Sequence, residues 1–466
     1  MKQKQNMAAL SGQEQRLAEA PVGKLLFSLA VPTVLAQLVN LLYNIIDRMY
    51  VGRIPEAGTK ALAGLGVAFP IIMLISAFAA LIGSGGAPRA AIKMGQKDHE
   101  GAEEILGNSF TALLVLAVLL TVIFLPTKDG LLMLFGASQD TLPYASNYLG
   151  IYLIGTIFVQ MTLGLNQFIA AQGFSKISMM TVVIGAVINI VLDPIFIFVF
   201  KMGVSGAALA TILSQGVSAV WVLRFLTGKK TILHIRRKHL KLKWPVLVSI
   251  TALGVSPFIM NATECLVQLT FNSGMQKYGN DLYVSAMAIL FSINQLVWLP
   301  LSGVGQGAQP IISFNYGAGN MHRVRKTFRL TFAFNLTFSI VFVGIILLFP
   351  RIFIGLFTDD KQLLELGSYG LRIFMAGMCV MGAQNACQQT FLATGKAKIS
   401  LFMAMLRKVI LMIPLALVLP MFINPPTNGL YLAEAFSDVL AATITTVVFF
   451  STTYRRLRKA DIAQQT

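Results

Sequence analysis

Five of the 19 acidic residues, Asp47, Asp193, Glu264, Glu434 and Asp438, stand in text that is otherwise apolar. Asp193 is the plainest case. It lies in the run Ile190-Val-Leu-Asp-Pro-Ile-Phe-Ile-Phe-Val-Phe200, and no other ionisable side chain occurs between Lys176 and Lys201. A carboxylate is costly in hydrocarbon, so within a membrane segment it marks an ion, proton or substrate route by default. Asn189 stands four residues earlier and shares a helix face with it. Side-chain oxygens of this kind suit a bound Na⁺, and the same carboxylate can instead take a proton.

These residues need elements that hold them in a membrane. The chain has 466 residues, 56% hydrophobic and 12% charged, with mean hydropathy +0.72. A soluble chain of this length carries roughly twice that charged fraction. Apolar runs near 20 residues, enough to cross about 30 Å of hydrocarbon, recur along the whole length. They predict twelve spans near 25–48, 61–87, 104–126, 142–171, 177–200 and 204–226, then 246–272, 282–308, 328–349, 367–393, 399–422 and 429–452. The polar stretch 1–20 lacks the order of a cleaved signal, so the first span is expected to stay in place. A formal charge of +18 invites a nucleic-acid reading, but position decides against it. With the N-terminus in the cytoplasm, 28 of the 37 Lys and Arg fall on the cytoplasmic side, counting Arg407 and Lys408. That is the positive-inside pattern of a multi-pass protein with both termini inside.

The halves repeat each other. Gly83-Ser-Gly-Gly-Ala-Pro88 continuing to Gly95 matches Gly305-Gln-Gly-Ala-Gln-Pro310 continuing to Gly317. Leu134-Phe135 matches Leu356-Phe357, and Gly173 with Lys176-Ile177-Ser178 matches Gly395 with Lys398-Ile399-Ser400. Each pair is 222 residues apart, one register held across both halves. The expected organisation is a first lobe at 1–226, a basic connector at 227–245 and a second lobe at 246–466 with a basic tail. Six spans per repeat give two parallel lobes related by a pseudo-twofold axis along the membrane normal, with a cavity between them. That arrangement fits a transporter.

Each charged residue also has a plainer role open to it. Asp47 precedes Arg48 near the end of its span, where the two would form a solvated ion pair. Glu264 would satisfy a polar contact between helices, and Glu434 would sit solvated near the outer surface with Asp438 one turn deeper. Arg407 and Lys408 are expected near the inner end of their helix, snorkelling to the interface. Pro194 and Pro32 each remove a backbone donor within a span and offer hinges. Cys265, Cys379 and Cys387 sit in apolar segments as buried thiols, without metal-ligand spacing. There is no Walker loop and no metal-binding His pair, so no enzymatic activity and no cofactor is expected, and the energy source expected is an ion gradient.

The segment Leu42-Tyr-Asn-Ile-Ile-Asp-Arg-Met-Tyr-Val-Gly52, followed by Ala61-Leu-Ala-Gly-Leu-Gly, resembles the first-helix signature of multidrug and toxic compound extrusion (MATE) transporters. Asn189-Ile-Val-Leu-Asp-Pro194 and Gly203-Val-Ser-Gly-Ala-Ala-Leu-Ala-Thr211 are similar to that family's fifth and sixth helices. The likeness covers essentially the whole chain and is nearest the bacterial DinF/MepA-like branch. It implies an all-α membrane fold of twelve spans in two six-helix lobes, and export of organic cations in exchange for Na⁺ or H⁺. It places the cation or proton site, including any Na⁺ site, on Asp47, Asn189, Asp193 and Thr211. Tyr148, Asn166 and Asn44 would form the surrounding polar network, and Pro32 would be the hinge. Glu264 matches an acid in the seventh helix of some members. One departure stands out: no acid occurs between Glu365 and Thr394, where other members carry an aspartate in the tenth helix. Coupling is therefore expected in the first lobe, with Glu264, Asp438 and Arg407 as second-lobe candidates.

The reading expected from the sequence is a plasma-membrane antiporter alternating between inward- and outward-facing states. Its partners would be small cationic compounds and the bilayer, with no nucleic acid and nothing that requires more than a monomer. The competing reading is a flippase for a lipid-linked cell-envelope precursor, which calls for a basic cavity to meet pyrophosphate.

Overall fold

The computed structural model describes residues 12–55 and 57–465. Among these residues the chain is helical throughout, with no strand. Ten helices are long and apolar enough to cross a membrane, and two further pairs are bent spans, which gives twelve. In order they are Val22–Gly52, Gly58–Gly95, His99–Leu134, the pair Leu142–Ile154 and Thr156–Ala171, Ser175–Val199 and Val204–Leu226. The second six are Trp244–Tyr278, Asp281–Gly317, Met321–Leu348, the pair Lys361–Phe374 and Ala376–Ala393, Ala397–Met421 and Pro426–Gln464. Several helices run past the apolar text that predicts them. The third starts at His99 because Asp98 caps it, its carboxylate accepting from Gly101 N–H at 2.9 Å, which satisfies one of the free donors of a first turn.

The fourth and tenth spans are not the continuous helices the apolar runs suggest. They bend by 59° and 41°. Gly155 and Gly377, 222 residues apart, sit at the two bends. A Cβ on Gly155 would lie 2.3 Å from the Ile212 side chain, and one on Gly377 would lie 2.4 Å from the carbonyl oxygen of Ala435. The missing side chain at each bend therefore admits a neighbouring helix. Thr121 donates at 2.8 Å to the carbonyl of Leu153, in the last turn before the first bend. Two wide π-type turns lie beside prolines: Ile195–Val199 follows Pro194, and Leu406–Met412 precedes Pro414. Pro414 supplies no donor to the turn before it, where a widened turn re-registers the ladder.

The chain forms two compact units. One holds residues up to Glu19 and Leu35–Asn261; the other holds Ala20–Val34 and Ala262–Thr466. This division differs from a cut at the connector, because the leading halves of the first and seventh spans exchange units. Glycines explain the exchange. In the first unit a Cβ on Gly85 would lie 2.2 Å from Ile250 O, and one on Gly254 would lie 1.7 Å from Leu81 O, so the second and seventh spans touch backbone to backbone. In the second unit a Cβ on Gly307 would lie 2.5 Å from Ala30 Cα, which brings the first and eighth spans equally close. Lipid tails give helices no hydrophobic reason to associate, so close packing through small residues carries the association.

The first unit's core gathers Ile71, Ile75, Leu149, Leu153 and Ile212 around Tyr148 and Tyr152. The second unit's core is richer in Phe and Met, with Phe271, Phe291 and Phe374 meeting edge to face. Outside, residues such as Val118, Val122 and Ile123 remain exposed, as a lipid-facing surface requires.

The connector is strapped down. Gln172 Oε1 accepts from Thr231 Oγ1 at 2.9 Å, Ile232 N–H at 2.8 Å and Leu233 N–H at 2.9 Å. Arg236 reaches Glu103 at 2.7 Å. At the position 222 residues after Glu103 stands Arg325, which pairs with Asp461 of the final helix. The same strap recurs in the second repeat with its charges reversed.

Candidate ion and substrate sites

The first site is built by the first, fourth, fifth and sixth spans. Asn189 and Asp193 are fully buried on one face of the fifth. Asn189 Nδ2 donates to Asp193 Oδ1 at 3.2 Å and towards Thr211 Oγ1 at 3.4 Å. Thr211 donates in turn to Ala207 O at 3.0 Å, and the Tyr148 hydroxyl lies beside the Thr211 side chain. Asp47, 7% exposed, comes from the first span. Its carboxyl meets that of Asp193 at hydrogen-bonding range. The plainer alternative, a solvated pair with Arg48, does not form; the Arg48 guanidinium lies over the Phe69 ring, 4.8 Å from the centroid.

The unmet valences are informative. Among the described residues, Asp47 Oδ1, Asp193 Oδ2 and Asn189 Oδ1 are buried without a hydrogen-bond donor. Buried acceptors are costly to leave empty, and two facing carboxylates cannot both ionise cheaply. A proton or a cation resolves both problems. The donor set of two carboxylates, an amide and a hydroxyl fits a monovalent hard cation. No group of three or more His, Cys, Asp or Glu that could hold a metal occurs among the described residues.

Two expected members of the network direct their amide donors outside it. Asn44 donates to Asn40 O at 2.6 Å, one turn back on its own helix. Asn166 donates to Ser178 O at 3.2 Å, near the start of the fifth span and about four turns from Asp193. Tyr43, not among the expected site residues, lies near Asp47, Asp193 and Tyr152. Its i, i+4 spacing from Asp47 was the available signal. Pro32 is buried within the first span, two residues before the point where that helix changes unit.

The second unit holds a charge cluster that corrects two expectations. Arg407 and Lys408 do not snorkel to an interface; they are buried within the eleventh span. Glu434 is not solvated either, being only 3% exposed. Arg407 Nε donates to Asp438 at 2.7 Å, its Nη2 reaches Glu434 at 3.4 Å, and its guanidinium lies 5.5 Å from the Trp298 ring centroid. Lys408 donates to Glu264. These contacts join the seventh, eleventh and twelfth spans, a fact invisible when each span is read alone.

A single family profile matches the chain twice, over residues 32–195 and 257–418, and that profile is MatE. The chain belongs to the MatE family. Two matches of one profile are what a tandem duplication produces. Among curated relatives, the multidrug export protein MepA of Staphylococcus haemolyticus is 27% identical over 401 residues, covering 86% of this chain and 88% of that protein. MepA of Staphylococcus aureus is 24% identical over 393 residues, covering 84% and 86%. Among solved structures, the outward-facing conformation of a multidrug resistance MATE family transporter of the MOP superfamily superposes with TM-score 0.89 at 23% identity, covering 97% of this chain and 99% of that one. A MOP superfamily transporter from Pyrococcus furiosus, described as having a binding pocket of reverse polarity, gives TM-score 0.88 at 23% identity with the same coverage. These structures show the fold, all-helical in the described residues, and the family match makes this a multi-span membrane transporter of the MATE type.

Proposed function

We propose that this MatE member exports organic cations across the plasma membrane by antiport with Na⁺ or H⁺, using Asp47 and Asp193 with Asn189 and Thr211 as the coupling site. The carrying observation is the pair of facing, buried carboxylates, each with one oxygen that lacks a donor among the described residues. One proton or one Na⁺ neutralises the pair, and re-ionisation on the other side resets it. For such a site to drive transport, its ion must bind the inward- and outward-facing states with different affinity. Pro32 is the hinge in this reading, since the first helix changes packing partners just beyond it. The charge distribution supports cytoplasmic termini, and the named relatives support drugs as cargo.

A flippase of anionic precursors would need free basic groups. Arg407 and Lys408 are both engaged by carboxylates, which favours cationic cargo. The test is dye efflux from proteoliposomes under imposed Na⁺ or pH gradients. Efflux should follow one gradient and stop when it is collapsed. Efflux indifferent to both would overturn antiport.

A further inference from the structure

The second unit's charge cluster plays no part in the coupling reading, yet it is costly. Glu264, Arg407, Lys408, Glu434 and Asp438 provide three acids against two bases. Glu434 Oε2 and Asp438 Oδ2 are buried with no hydrogen-bond partner among the described residues. The cluster is therefore short of positive charge and of donors. Its members also differ in access. The Arg407, Lys408, Glu434 and Asp438 side chains are at most 10% exposed, whereas that of Glu264 is 41% exposed.

The two cations are held differently. Arg407 is fixed by two carboxylates and the Trp298 ring, and its planar fork is preorganised for such contacts. Lys408 offers a compact ammonium on a flexible stem to the one accessible carboxylate. A lysine is the cation that can swing away. Buried ion pairs are poor stabilisers compared with apolar packing, so a fixed structural role does not account for leaving Glu264 open.

We propose that Glu264 is the accessible arm of an organic-cation site in the second unit and that Lys408 is its built-in competitor. A lipophilic monovalent cation binds at Glu264 by displacing the Lys408 ammonium, while Arg407 keeps Glu434 and Asp438 in place. Lys408 thus sets the threshold affinity of the site and selects against weakly binding cations. The inference rests on organic cations being the cargo.

The experiment is equilibrium binding of ethidium, read by fluorescence anisotropy, to the full-length protein in detergent. An Asp47→Asn/Asp193→Asn background keeps the first site from contributing. Lys408→Met should tighten binding about tenfold, the worth of one charge-assisted hydrogen bond removed from the competitor. Adding Glu264→Gln should erase that gain. Unchanged affinity in Lys408→Met, or a gain that survives Glu264→Gln, overturns the proposal. Should Lys408→Met not elute as monodisperse protein, Lys408→Arg carries the test. Its guanidinium can grip Glu264 through two donors, so binding must weaken several-fold, and unchanged binding refutes the competitor role. Because this measurement needs no gradient, its failure leaves gradient-driven efflux standing. Gradient-independent efflux would likewise leave this result standing.

Discussion

Replacing Asp193 by Asn separates a coupling role from a packing role. Two carboxylates about 4 Å apart at an effective dielectric near 20 repel by about 4 kcal/mol when both are ionised. That is roughly a thousandfold bias towards holding one proton or one cation. The amide oxygen introduced at position 193 can keep the 3.2 Å contact from Asn189. The new NH₂ then falls where Asp193 Oδ2 stands and becomes a donor facing Asp47. Asp47 gains a hydrogen bond to a charged group, about 1.5–3 kcal/mol, and loses its like-charged neighbour. The variant should therefore melt no lower than the wild type, while gradient-driven efflux falls to the level of empty vesicles. The checks are a thermal melt of purified protein beside dye efflux from proteoliposomes under the effective gradient. Full efflux from well-folded Asp193→Asn refutes the coupling assignment. A steep fall in melting temperature instead makes Asp193 a packing residue.

Three further outcomes are expected. Thr211→Val removes the hydroxyl that meets Asn189, and it should raise the coupling-ion concentration for half-maximal efflux about three- to tenfold, the worth of one hydrogen bond; no change would remove Thr211 from the site. Gln172→Ala strands two backbone N–H groups of the connector, about 1–3 kcal/mol for each buried donor, so trypsin should cut the basic 229–243 segment faster and the melting temperature should drop. Lys396 lies between the tenth and eleventh spans, where burial first and Arg456 second hold its pKa down to about 8 from an ordinary 10.5. The unfolded chain keeps that proton to higher pH, so stability should rise between about pH 8 and 10.5, and Lys396→Met should flatten that slope.

The membrane class, the twelve spans and the duplication could be read from residue text alone, because hydropathy and a 222-residue register are local or periodic properties. The Asn189–Asp193 face was legible for the same reason, since i, i+4 spacing on a helix needs no tertiary information. Asn44 and Asn166 show where such reading stops. An amide can satisfy itself on its own helix or on a neighbour's first turn, and composition does not distinguish these outcomes. Gly155 and Gly377 share the repeat register, yet their bends follow from which helix crosses them. Arg407 and Lys408 are adjacent in sequence and serve different helices, through side chains long enough to reach carboxylates 27 and more residues away. That costly charges lie within apolar spans is evident from the residue text. Which of them face one another is set by helix packing, because Coulomb energy depends on distances that no single span contains.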